Sequence, residues 1–520
     1  MANSRAYGTW FSVPSRAKSR CPEPIPAIPG QVPASPPAPG GFRVALLVYR
    51  GNPQCGGQGV YVRHLSRELV NLGHSVEVFS GQPWPVLDEG VGFTPVPGLD
   101  LYREPDPFRT PRRDEICTPI DVLELLTLWA GGFPEPRTFS MRARRVLGAR
   151  LGDFDIVHDN QCFGSGLLGM MNDGWPLVAT FHHPLTVDRE LAIAHAEGFW
   201  KKLSQRRWYA FLRMQARVAR RVPRIITVSD SSRRDISAQV GVPIDALRVV
   251  PVGVDHTVFR PVLGVERVPG RIMATSSSDV PMKGIVPLLN AVAKVRTDHE
   301  VELVIVGKPK EGGRVARAIT ELGLSSVVRH VSGVSDEELA RLYSEAELAV
   351  VPSLYEGFSL PAIEAMACGA PLVATTGGAL PEVVGESGRT CLLVPPGDPE
   401  ALAAAIRRVL DDPALAERLS VEGRQRVLER FTWRCTAEKT AEQYREVLGI
   451  CAPPQVAEPA IVGVAAGVST RVPSHAQPAV PGAPVGETEP GYLLQGRMDD
   501  PALPGRITAG DLPSAAVADC

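Results

Sequence analysis

The chain has 520 residues, more than one hydrophobic core supports, because single cores stop growing at about 250–300 residues. With 44% hydrophobic and 22% charged residues it has a globular composition, and a net charge of −2 gives no sign of a nucleic-acid partner. Nine scattered cysteines without a Cys-x-x-Cys pair argue against a disulfide framework or a zinc site and predict a reducing, cytoplasmic setting; no acidic pair with metal-holding spacing is evident, so no catalytic metal is expected.

Residues 1–40 are proline-rich and read as a disordered tail. No signal peptide is apparent there, and no uncharged apolar run reaches about 18 residues, so no spanning helix is expected. From 43 to 49, "RVALLVY" reads as a buried strand. The glycine-rich loop "RGNPQCGGQGV" follows, then an amphipathic helix over 59–74 with Leu65, Leu69 and Leu72 on one side. Gly56 and Gly57 make the loop a permissive turn or a place where backbone approaches a ligand. A dinucleotide fingerprint is excluded, because Val62 stands where its third glycine belongs and the next strand ends "VFSG" without an acid. "SVEVFS", "FDIVH", "LVATFH" and "RIITVS" are further strands; residues 81–150 fit no pattern. "VATFHHP" leaves two histidines at a strand end. The segment 200–224 carries nine basic residues and no acid, with Leu203, Phe211, Met214 and Val218 along one helical side. Such a helix packs on the sheet with a solvated basic face, or lies on an anionic membrane as a peripheral contact on its inner face.

After Val254 the alternation restarts with "RIMATS", "VELVIVG", "VVRHVS", "LAVVPS" and "PLVATT", each followed by a helical pattern. Strands alternating with helices predict parallel sheets covered on both faces, with ligand sites at the C-terminal ends of the strands. The expected fold is α/β, with two doubly wound Rossmann-like domains facing a cleft: a first domain over 41–255, a second over 256–430, and a helix at 431–451 returning to the first. Residues 452–520 read as a second disordered tail.

The loops after the strands carry the chemistry. In "LYEGFSLPAIEAMACG", Pro361 suits a first helical turn and Gly369 a helix end, predicting a short helix over about 360–368. Gly357 admits close approach of backbone. The N–H groups of Phe358, Ser359 and Leu360 then face outward at the positive end of the helix dipole, an anion site. Glu356 precedes that helix and Glu364 lies a turn inside it, where a carboxylate is costly unless hydroxyls donate to it. Diphosphate at the helix end with hydroxyls on either side describes a nucleotide-sugar. Lys283-Gly284 stands at another loop-to-helix junction, where a lysine balances diphosphate charge. Gly377 and Gly378 in "TTGGALPE" repeat the glycine-then-proline design.

The stretch "EGFSLPAIEAMACGAPLVAT" resembles the E-x7-E signature of the family 4 retaining glycosyltransferases of GT-B fold, and "VPVGVDHTVFRP" and "LLVPPGDPEALAAAI" are similar to other parts of that family. The resemblance covers most of 42–448. It implies transfer of a hexosyl group from a UDP- or GDP-sugar, a substrate rather than a cofactor, to a glycan, lipid or small-molecule acceptor held by the first domain. It implies that Glu356 lies near the donor sugar, Glu364 binds the ribose, Lys283 binds phosphate, His182 rather than His183 contacts the sugar, and Gly56 and Gly57 approach the diphosphate. The family usually has an arginine five or six positions before the lysine; here Ser277 and Ser278 stand in that region. Other GT-B activities, a nucleotide-sugar epimerase or a phosphorylase, and a donor-binding module without turnover are the alternatives.

Overall fold

The computed structural model describes residues 28–52, 57–103, 108–196, 198–276, 280–307, 310 and 312–450. Both tails, apart from 28–40 in the first, therefore lie outside the described residues. So do Gly56, Ser277 and Ser278.

The first half runs β1 (Arg43–Val48), α1 (Gly57–Asn71), β2 (Ser75–Ser80), β3 (Gly92–Pro95), α2 (Pro119–Trp129), α3 (Glu135–Gly148), β4 (Ile156–Asn160), α4 (Gly166–Asn172) and β5 (Leu177–Thr180). It continues through α5 (Thr186–His195), α6 (Phe199–Trp208), α7 (Phe211–Ala219), β6 (Arg224–Thr227), α8 (Asp230–Val240) and β7 (Leu247–Val249). The strands form one parallel sheet in the order β3-β2-β1-β4-β5-β6-β7. Their near-continuous runs of buried residues reflect helices on both faces.

The second half runs β8 (Val268–Thr275), α9 (Ile285–Val295), β9 (Glu302–Val306), α10 (Arg314–Glu321), β10 (Val328–Val331), α11 (Asp336–Glu345), β11 (Ala346–Val351) and α12 (Leu360–Ala367). Then come β12 (Leu372–Thr375), α13 (Leu380–Val384), β13 (Leu392–Val394), α14 (Pro399–Asp411), α15 (Pro413–Arg430) and α16 (Trp433–Leu448). Its six strands are also parallel, in the order β10-β9-β8-β11-β12-β13.

The stretch 81–150, patternless in sequence, contains β3, α2 and α3. The continuous basic helix expected over 200–224 is instead two helices: Tyr209 and Ala210 break it, α7 buries Leu212 and Val218, and α6 buries nothing.

The chain crosses between the sheets twice, side by side. Val254 N–H donates to Phe431 O (2.8 Å), and Val254 bridges Thr432. After the second crossing α16 packs on α1 of the first sheet. Tyr444, fully buried, meets His158 Nδ1 at 2.6 Å, while His158 Nε2 meets Thr180 Oγ1 at 2.7 Å and Tyr61 hydroxyl meets the same Thr180 at 3.2 Å. Burial holds the His158 pKa down to about 3, so this knot joins the final helix to β4, β5 and α1 as a neutral network.

Candidate active site

In each sheet the strand order reverses at one place: between β1 and β4, and between β8 and β11. A crevice opens at the C-terminal ends of strands at such a switch point. The segments leaving β1, β8 and β11, with those leaving the neighbouring β5 and β12, carry the candidate residues.

Beyond β8, a single turn over Pro281–Lys283 ends at Gly284, whose φ of +66° a side chain would strain. A Cβ there would sit 1.9 Å from Pro352 O, so only glycine lets this turn rest on the β11 exit. Leu354 N–H donates to Met282 O at 2.7 Å in the same contact. As a result Lys283 Nζ reaches Glu356 Oε1 at 2.9 Å, and Ser353 Oγ donates to the same carboxylate oxygen at 2.7 Å. The loop of Gly377 and Gly378 lies underneath. Ala379 N–H donates to Glu356 O at 2.8 Å, and a Cβ on Gly378 (φ +61°) would collide with that carbonyl at 2.3 Å. These glycines support the backbone of Glu356.

Past Glu356, the first turn of α12 is set by Pro361, and Ser359 takes φ +113°, a conformation a non-glycine residue holds only under constraint. Ser359 is 5% exposed and its Oγ has no hydrogen-bond partner. Among the described residues, the N–H groups of Gly357, Phe358 and Ser359 find no acceptor either. Strain, an orphaned hydroxyl and free N–H groups converge on the positive end of one helix, an arrangement suited to an anion. The Phe358 ring faces the other way, edge-on to Phe431 at 5.8 Å. Glu364 accepts no hydrogen bond from any described residue. Burial, and secondarily Asp336, push its pKa up to about 8.

The first domain faces this loop through the exits of β5, β4 and β6. A Cβ on Gly357 would come 3.7 Å from that of His183, so the histidine loop and the α12 loop stand across a closed cleft. His183 is exposed. His182 is held: its ring Nε2 meets Asn160 Oδ1 at 2.8 Å, its N–H donates to Gln161 Oε1 at 2.7 Å, and Tyr61 lies edge-on at 4.7 Å. Burial first, and then the neighbouring histidines, lower the His182 pKa to about 3, so the ring is neutral. Asn160 Nδ2 donates to Gln58 O at the start of α1 (3.4 Å), which turns Oδ1 toward His182; Nε2 then carries the ring proton and Nδ1 is an acceptor. Gln161 sits at φ +53°, in a turn built by Asp159, whose Oδ2 accepts from Cys162 N–H and Phe163 N–H at 3.0 and 2.9 Å. Gly57 opens α1 beside this group.

From the exit of β6, Ser229 Oγ (2.6 Å) and Ser232 Oγ (3.0 Å) both donate to Gly357 O. The N–H groups of Asp230 and Ser231, at the start of α8, grip the Glu382 carboxylate of α13 at 2.8 and 2.9 Å. Asn160, Gln161, Ser229, Ser232 and Glu382 escaped the sequence reading, although all but Glu382 stand at strand exits, where the same rule would have found them.

A shallow, open pocket lies at the C-terminal ends of β1, β2 and β3, lined by Tyr49, Gln82, Asp100, Glu124, Glu135 and Arg142. Its cations are engaged: Arg50 pairs with Glu135 (2.6 Å), and Arg142 with Asp121 and Glu124 (both 2.5 Å). Cys162 Sγ donates to Pro136 O at 3.0 Å, placing the pocket's α3 wall against the turn that holds His182.

Two facing parallel-sheet domains with such a helix end in the cleft define a glycosyltransferase of the GT-B class. Residues 55–258 match the family model described as Glycosyltransferase Family 4, and residues 266–426 the model described as Glycosyl transferases group 1. The chain is 56% identical over 408 residues to an MMP alpha-(1->4)-mannosyltransferase of Mycolicibacterium hassiacum, covering 78% of this chain and 98% of that one. A D-inositol 3-phosphate glycosyltransferase of a Nocardioides species is 29% identical over 447 residues, with 78% and 89% covered. Among solved structures, a sucrose-phosphate synthase from Thermosynechococcus elongatus superposes with a TM-score of 0.58 at 26% identity, covering 78% and 99%. Anabaena HepE, solved with UDP and glucose, gives 0.56 at 19% identity, covering 78% and 100%, a likeness of fold. The chain belongs to glycosyltransferase family 4.

Proposed function

We propose that this protein transfers a mannosyl group from a nucleotide-sugar to a glycan acceptor, forming an α-(1→4) linkage with retention at the anomeric carbon and without a metal. The activity for which the 56% identical relative is named supports the sugar and the linkage. The observation that carries the chemistry is the convergence of Lys283, Glu356 and the strained start of α12.

Lys283 is paired with Glu356 across the cleft wall. Diphosphate at the α12 start competes for that ammonium, which then balances the charge that develops as the leaving group departs. The unpaired N–H groups share that load and need no reorganisation. Glu356, released toward the sugar, faces the positive charge of an oxocarbenium-like transition state. Glu364 takes the ribose hydroxyls. The neutral His182 accepts a sugar hydroxyl at Nδ1 while Asn160 fixes its tautomer. The pocket at the ends of β1–β3 receives the acceptor. Reliance on a lysine and a helix end is consistent with metal independence.

The test is incubation with radiolabelled UDP- and GDP-mannose and a manno-oligosaccharide, with and without a chelator, and assignment of the new linkage by NMR. An α-linked, chelator-insensitive product is expected. A β-linked product refutes retention, and loss of activity with chelator refutes metal independence.

A further inference from the structure

Helix α2 exposes an apolar stripe and buries two acids. Its buried residues are Asp121, Glu124 and Leu125, the two acids being paired with Arg142. Its outer face carries Val122, Leu126 and Trp129, spaced three and four apart and 45, 54 and 65% exposed. Ordinary amphipathic helices show water the opposite face. The end of α2 abuts α6, since a Cβ on Gly131 would lie 3.9 Å from Arg207 Cβ. Helix α6 begins with Phe199 and Trp200, 67 and 78% exposed.

The same surface is basic. No Asp or Glu occurs between Gly198 and Ser229. Lys201, Lys202, Arg206 and Arg207 of α6 and Arg213 and Arg217 of α7 are all exposed. None of them is found in an ion pair among the described residues, whereas arginines elsewhere, such as Arg43, Arg63, Arg271 and Arg407, are tied to carboxylates. The molecule as a whole is slightly acidic, so this concentration of unanswered cations is local.

We infer that the outer faces of α2, α6 and α7 form a docking surface for an anionic lipid bilayer. Exposed tryptophans beside lysines and arginines match the two layers of a membrane interface: rings at the acyl boundary and cations at the phosphates. A second copy of this chain is the wrong occupant, because a two-fold interface would set these cations against themselves. The inner face of α2 places Glu124 in the wall of the pocket at the ends of β1–β3, so that pocket lies one helix away from the docking face.

The full-length protein is sedimented with vesicles of phosphatidylcholine alone, or mixed with phosphatidylglycerol, at low and high salt. Binding to the anionic vesicles only, weakened by salt, is expected. Replacing Lys201, Lys202, Arg206 and Arg207 together by Gln should weaken it at least about tenfold. Trp129→Ala combined with Trp200→Ala should also weaken it at both salts. In both variants, transfer to a soluble acceptor and melting temperature should match the parent, which separates this proposal from the transferase reading. No binding to anionic vesicles, equal binding to both vesicle types, or a dimer in solution that the tryptophan variant dissociates would each overturn it.

Discussion

Protonation of Glu364 should compete with nucleotide binding. Its carboxyl lies inside the start of α12 with no donor from the described residues, and burial keeps it protonated up to about pH 8. Ribose hydroxyls donating to it would favour the carboxylate and return its pKa toward the usual value of about 4.3. Below about pH 8 the free protein then loses a proton on binding. Affinity for UDP or GDP should therefore fall about tenfold per pH unit, or about a hundredfold between pH 8 and pH 6. The sign for folding is opposite to that of a salt-bridged acid. The native pKa exceeds the unfolded one, so between the two the native state holds an extra proton, and ligand-free stability declines as pH rises from about 4.5 to about 8. Saturating nucleotide should flatten that decline. Calorimetric titration across this range, in buffers of different ionisation enthalpy, reads both affinity and proton release. Glu364→Gln keeps an acceptor oxygen but cannot titrate, so it isolates the nucleotide's own phosphate ionisation. If Glu364→Gln retains the full pH slope of the parent, Glu364 does not meet the ribose.

Lys283→Ala should weaken nucleoside diphosphate affinity roughly ten- to hundredfold, the worth of about 1.5–3 kcal/mol for a charged hydrogen bond, and lower turnover as well. Normal diphosphate binding by this variant removes Lys283 from the donor site. Asn160→Ala frees the His182 ring and should lower kcat while leaving diphosphate affinity within about threefold; an unchanged kcat would show that the tautomer is irrelevant. Glu382→Gln weakens the bond from the α8 start to α13 and should open the ligand-free cleft, read as a larger radius of gyration in small-angle scattering. An unchanged scattering curve would mean that the serines on Gly357 suffice to hold the domains together.

The fold was legible because both sheets are parallel: "RVALLV", "ELVIV" and "AELAVV" are continuous apolar runs, each followed by a helix with its own period. β3, β7 and β13 went unnoticed because "GFTP" carries a glycine and a proline, "LRV" is split by an arginine, and "LLV" is only three residues long. Helices α2 and α3 were hidden for a different reason. They bury Asp121, Glu124 and Thr138 as well as leucines, so hydropathy along them does not mark an inner face. The α12 region was readable because Pro361, Gly357 and the two glutamates each serve a local need of one turn of chain. The grip of Asn160 on His182 and of α8 on Glu382 spans 22 and 152 residues, and no local pattern encodes such pairings.

The return of α16 to the first sheet has a consequence for synthesis. The strands of that sheet are complete once Val249 has been made, yet Tyr444, which closes the knot around His158, Thr180 and Tyr61, follows 195 residues later. At about 5–20 residues per second, the ribosome takes on the order of 10–40 s to supply it. Meanwhile the second sheet has every strand it needs. The domain made first must therefore finish folding last, with the face that α1 and β5 reserve for α16 uncovered on the nascent chain.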